Sequence, residues 1–133
     1  MRILGFHHLA IFVRELERLA LFYREVLGLS EMARHQREDG TLRSIWLAIP
    51  GGGFIALEEN PDPSSAALRR GSSGLALLAL GISAADHKRV TEELARRGIE
   101  IVKQTDWTLY FDDPEGNHLA LSHHPSPQTT TAE

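Results

Sequence analysis

A chain of 133 residues, 42% hydrophobic and 24% charged, makes one ordinary domain with enough apolar content for a core. The lack of cysteine excludes disulfides, thiolate metal sites and cysteine nucleophiles and fits a reducing cytoplasm. The net charge of −4, with arginines scattered along the chain, argues against a nucleic-acid footprint; no apolar run or leader-like opening points to a membrane.

The opening stretch, "GFHHLAIFV", alternates as a β-strand: Leu9, Ile11 and Val13 on one face, His8, Ala10 and Phe12 on the other. Neighbours on a strand point apart, so His7 and His8 are expected to do different jobs, with His7 structural. "ELERLALFYREVLG" then changes to helical period, with Leu16, Leu19, Ala20, Tyr23, Val26 and Leu27 forming one stripe and Gly28 the stop. Three β-like runs follow, at about 30–38, 43–49 and 53–59, with "PGGG" as the turn between the last two.

Residues 60–73 read as a surface linker, rich in Pro, Ser and Gly. The same order of elements then returns. "LALLALGIS" is a strand, and Ser83 with Asp86 resembles a capping box. Val90, Leu94 and Ile99 carry the helix stripe, which stops near Gly98. "IEIVKQ", "DWTLYF" and "NHLALSH" are three more strands, and 125–133 is a disordered tail.

The return extends to single residues. Set 46–58, "WLAIPGGGFIALE", beneath 110–122, "YFDDPEGNHLALS": Pro50 meets Pro114, Gly52 meets Gly116, Ala56 meets Ala120 and Leu57 meets Leu121. The expected fold is therefore α+β: a single domain over 1–124 built of two tandem βαβββ modules, 1–59 and 74–123. One face of each sheet lies under its helix, and the modules together form a curved eight-stranded sheet around a central cavity, helices outside.

Strand parity selects the residues that face away from the helices. They include His8, Phe12, Phe54, Ala56, Glu58, Ala79, His118, Ala120 and Ser122, joined by Ser44, Trp46, Thr108 and Tyr110. That lining is aromatic, small and mildly polar. Trp46 and Tyr110 each carry an N–H or O–H that needs a partner. His8, Phe12, Trp46, Phe54, Glu58, Tyr110 and His118 are the candidate ligand-binding residues, and His8 is the candidate catalytic group, suited to proton transfer near neutral pH. His35, His87, His123 and His124 read as peripheral, and Arg69 and Arg70 as solvated linker residues.

Paired βαβββ modules, "HHLAIFV…LALFYREVLGL" and "DPEGNHLALS" resemble the vicinal oxygen chelate superfamily. That group includes glyoxalase I, extradiol dioxygenases, fosfomycin-resistance enzymes and bleomycin-resistance proteins. The resemblance covers residues 1 to about 124. It implies metal ligands on the first and last strands of each module, positions that fall on His8, Ala56, Leu77 (or Ala76) and Ala120. Only the first of these can coordinate, so no metal or other cofactor is expected. The alternative is a divalent metal ion on a shifted set of His8, Glu58 and His118, serving a lyase, isomerase or dioxygenase. Otherwise the resemblance is nearest the bleomycin-resistance type, which sequesters an aromatic or planar small molecule, and it implies a homodimer. A third reading is a cavity filled by its own side chains, with no ligand.

Overall fold

The structure, a computed structural model, describes residues 1–60, 62 and 75–123. Arg69, Arg70, nearly all of the linker, His124 and the tail lie outside the described residues. The chain divides into two compact units, Met1–Ala66 and Ala67–Glu133.

The first unit runs β1 (His8–Val13), α1 (Leu16–Glu25), β2 (Ser30–Gln36), β3 (Leu42–Ala48) and β4 (Phe54–Glu59). Its four strands are ordered β1-β4-β3-β2, with β1 parallel to β4 and the other pairs antiparallel. A parallel pair needs a long connection between its strands, and here α1 and the β2–β3 hairpin lie in between. The helix buries Leu16, Leu19, Ala20 and Tyr23, and it packs on β3 and β4, whose Ile45, Leu47, Ile55 and Leu57 are at most 1% exposed. Each such side chain contributes roughly 1.5–3 kcal/mol through apolar burial. Gly28 ends the helix with a left-handed φ of +71°, and the Leu29 N–H reaches back to the Tyr23 carbonyl at 3.1 Å. The "PGGG" stretch is a hairpin turn: Gly52 N–H donates to the Ile49 carbonyl at 3.1 Å and Ile49 N–H to the Gly53 carbonyl at 3.0 Å. Gly53, at φ +81°, has the Phe6 ring where a Cβ would stand, which pins the N-terminal segment over this turn.

The second unit runs β5 (Leu78–Gly81), a 3₁₀ turn (Ala84–Asp86), α2 (His87–Arg96), β6 (Lys103–Gln104), β7 (Thr108–Asp112) and β8 (His118–Ser122). Its strand order, β5-β8-β7-β6, and its directions repeat those of the first unit. Three local expectations are corrected. Ser83 and Asp86 form no capping box: the Asp86 N–H goes to the Ser83 carbonyl at 3.1 Å, closing the 3₁₀ turn. The strand expected over "LALLALGIS" shrinks to Leu78–Gly81, whose ladder with β8 runs from the Leu78–Leu119 pair to the Gly81–Ser122 pair. The ladder of "IEIVKQ" is Lys103–Gln104, with Val102 adding one bond to the Tyr110 carbonyl at 2.8 Å.

Registers align the two units. Ala10 stands opposite Ala56 in one, and Ala79 opposite Ala120 in the other. Since Ala56 and Ala120 correspond through the repeat, Leu77, rather than Ala76, is the counterpart of His8.

Candidate functional site

The face of the first sheet turned away from α1 is built in three cross-strand rows. His8, Phe54 and Ala48 form one; Ala10, Ala56, Trp46 and Ala33 form the next; Phe12, Glu58, Ser44 and His35 form the third. Alternation on each strand puts all three rows on this face. The small Ala10, Ala48 and Ala56 leave room for rings to lean together across the strands.

They do lean together. His8 stacks on Phe54 with centroids 4.7 Å apart and planes 6° from parallel. Phe54 stacks on Trp46 at 4.4 Å and 24°, and Trp46 meets His35 at 4.3 Å and 57°. The result is a ladder of four rings, one from each strand. His8, Phe54 and Trp46 stack at close to the strand spacing of about 4.8 Å, which covers their faces and leaves their edges, while His35 tilts against the end of the series. Phe54 is 8% exposed, whereas Phe12, at the outer edge on β1, is 64% exposed.

Beside the ladder, the third row is polar and unsatisfied. Ser44 is 0% exposed, and its Oγ has no hydrogen-bond partner. Its register neighbours on either side, Glu58 and His35, each bury one atom without a partner, Oε2 and Nε2. Among the described residues, none forms an ion pair with Glu58. An unmade hydrogen bond of a buried group costs about 1–3 kcal/mol, and a native fold rarely concentrates three in adjacent positions.

The histidine doublet departs from expectation. Alternation places His7 opposite His8, but β1 begins at His8 and His7 lies just before it. The two rings meet edge to face at 5.0 Å, with their Nδ1 atoms 2.8 Å apart, and one ring donates its N–H to the other. His7 also touches Phe54 edge-on at 5.6 Å. His35 is the residue that the sequence reading missed. Its place beside Trp46 follows from the β2 register, which skips between Glu31 and Ala33 and again after His35.

The second unit fills the corresponding positions differently. Thr108 and Ser122, the counterparts of Ser44 and Glu58, hydrogen-bond to each other at 2.7 Å. His118, the counterpart of Phe54, pairs its Nδ1 with Asp112 Oδ1 at 2.5 Å. The Lys103 ammonium lies 5.6 Å from the Tyr110 ring centroid. His87 and His123, expected at the periphery, are half-buried and face each other at 3.2 Å.

The donors do not fit the metal centre that the resemblance implies. Ala56, Leu77 and Ala120 carry no ligating atom, which leaves His8 as the sole donor of the four implied positions. Among the described residues no group of three or more His, Cys, Asp or Glu side chains is placed to hold a metal ion.

With this architecture in hand, comparison with known proteins places the chain. It belongs to the Glyoxalase/Bleomycin resistance protein/Dioxygenase superfamily, whose sequence pattern matches residues 5–121. The protein YwkD of Bacillus subtilis (strain 168) is 30% identical over 119 residues, which are 84% of this chain and 91% of that one. The crystal structure of the glyoxylase/bleomycin resistance protein/dioxygenase domain from Frankia sp. EAN1pec superposes with a TM-score of 0.75 at 25% identity, covering 93% of this chain and 96% of its own. FosX, the fosfomycin resistance protein of Listeria monocytogenes complexed with Mn(II) and sulfate, shares the fold at 19% identity and a TM-score of 0.68, over 90% of this chain and 92% of its own.

Proposed function

We propose that this protein binds a small aromatic or otherwise planar molecule on the exposed-edge side of the ring ladder, without a metal centre of the kind the family uses for chelation. The observation that carries the reading is the four-ring series His8–Phe54–Trp46–His35 on the sheet face opposite α1. Stacked rings present edges of positive partial charge, and the flat face of a planar ligand meets such edges favourably, by about 0.5–1.5 kcal/mol per ring pair beyond area burial. His8, at the open end of the ladder, is assigned to hydrogen bonding or proton transfer toward the ligand. The absence of ligating atoms at Ala56, Leu77 and Ala120 supports the metal-free form of the reading.

The reading includes a homodimer in a reducing cytoplasm. β1 is an edge strand whose His8, Ala10 and Phe12 are exposed, and such edges are normally covered. Among the described residues no helix is long and apolar enough to cross a membrane.

The test is fluorescence titration of a Trp107→Phe variant, in which Trp46 alone emits, against a panel of planar aromatic ligands before and after chelator treatment. The expected result is a saturable change for some members that survives the chelator. No response from any member overturns the reading, and a response abolished by the chelator overturns its metal-free part. Sedimentation at micromolar concentration tests the dimer.

A further inference from the structure

The polar row beside the ladder has a chemistry of its own. Glu58 Oε2, Ser44 Oγ and His35 Nε2 sit in register on three adjacent strands, each buried and each without a partner. An ionised carboxylate only accepts hydrogen bonds, a hydroxyl oxygen accepts as well as donates, and a ring nitrogen without its proton accepts. The one capacity common to all three atoms is acceptance. Arg37, just beyond the β2 strand that carries His35, is committed to Glu59 at 2.7 Å. The equivalent pair in the second unit, Thr108 and Ser122, is closed on itself, so an open row is not a requirement of this fold.

We propose that the Glu58–Ser44–His35 row is a recognition subsite for the N–H donor edge of a planar ligand, selecting amidinium-bearing or amino-substituted aromatics over carboxylated ones. The inference rests on the ladder being a ligand platform and adds what the ligand must carry. Trp46 is two residues from Ser44 along its strand, about 6–7 Å, so one bicyclic ligand can rest on Trp46 and place its substituent at the neighbouring Glu58. Glu58 supplies the charge, Ser44 the short hydroxyl between the strands, and His35, packed on Trp46, closes the row. An aromatic carboxylate in the same place sets two anions together and is rejected.

The experiment uses three probes of one shape: naphthalene-2-carboxamidine, the carboxamide and the carboxylate, titrated calorimetrically into the full chain. The amidine is expected to bind at least tenfold more tightly than the carboxamide, with the carboxylate weakest. In Glu58→Gln the amidine-to-carboxamide ratio should fall to near one. Ser44→Ala, a smaller change at a residue whose deletion leaves no hydroxyl to satisfy, should also lower amidine affinity, with folding checked by circular dichroism. Equal binding of all three probes to the parent chain overturns the donor-edge proposal while leaving the platform standing. A ratio unchanged in a folded Glu58→Gln variant overturns it as well. No binding by any of the three, in a chain that also fails the wider planar panel, overturns both.

Discussion

The two units share element order, strand directions and register, yet one sheet face pairs its polar side chains and the other leaves them unpaired. In the second unit every polar position compared finds a partner within the unit: Thr108 with Ser122, His118 with Asp112. In the first, the equivalent places hold Ser44 with Glu58, and Phe54, which leaves two polar atoms orphaned and stacks a ring where a histidine would be tied down. A repeated fold thus supplies its own control. Whatever the architecture demands should be present in both units, and what differs is free to serve function. The helices differ too: α1 buries four side chains, whereas α2 buries Leu94 alone.

The largest expected effect tests that last difference. Leu19→Ala, at a side chain 0% exposed, should destabilise the protein by about 2–5 kcal/mol in urea unfolding, whereas Val90→Ala, on the half-buried face of α2, should cost far less. Equal costs would break the contrast between the helices. Next comes the ladder. Trp46→Ala should weaken binding of a planar ligand by about 30-fold, the scale of a single aromatic anchor worth about 2 kcal/mol, and Tyr110→Ala at the equivalent position should do much less.

The sharpest comparison is one of sign. Ser44→Ala removes a buried hydroxyl that bonds to nothing and should stabilise the ligand-free protein, or leave it unchanged, within about 1 kcal/mol. Thr108→Val at the equivalent position removes a formed hydrogen bond, that between Thr108 and Ser122, and should destabilise by about 1 kcal/mol. Thermal unfolding of the two variants side by side checks both. A destabilised Ser44→Ala would mean that the row is not open.

Much of this was legible in the sequence. The element order, the repeat and the face residues of β1, β3, β4, β7 and β8 follow from period-2 and period-3.6 patterning, because those strands are regular and flanked by clear turns. Two parts were not legible. His35 lies on β2, where register skips break alternation and where Met32, an apolar residue, is 53% exposed while Ala33 faces the ladder. The His7–His8 contact depends on where β1 begins, and nothing in "GFHHLAIFV" marks that point. Orphaned atoms such as Ser44 Oγ are a property of packing: "RSIW" and "WTLY" read alike as half-polar strands, though only the second pairs its hydroxyl.

The smallest expected effect lies on the outer face of the first unit. Arg34 bridges Glu17 and Glu31 at 2.7 Å each, and its hydrogen bonds hold both carboxylates below their ordinary value of 4.5. A depressed carboxylate stabilises the fold at pH values above its unfolded value, and that contribution is lost as pH falls through the lower folded value. Stability should therefore decline below about pH 4.5, and Arg34→Ala should remove that part of the decline while costing about 0–1 kcal/mol at neutral pH. An unchanged acid limb in the variant would place the decline elsewhere.

The most direct test of the open face is a ¹H–¹⁵N spectrum recorded while a planar amidine is added. The Trp46 indole N–H and the backbone amides of His35, Ser44 and Glu58 should shift in a saturable way, and by more than those of Thr108, Tyr110 and Ser122. Shifts confined to the second unit, or none at all, would contradict the assignment of the site to the ring ladder.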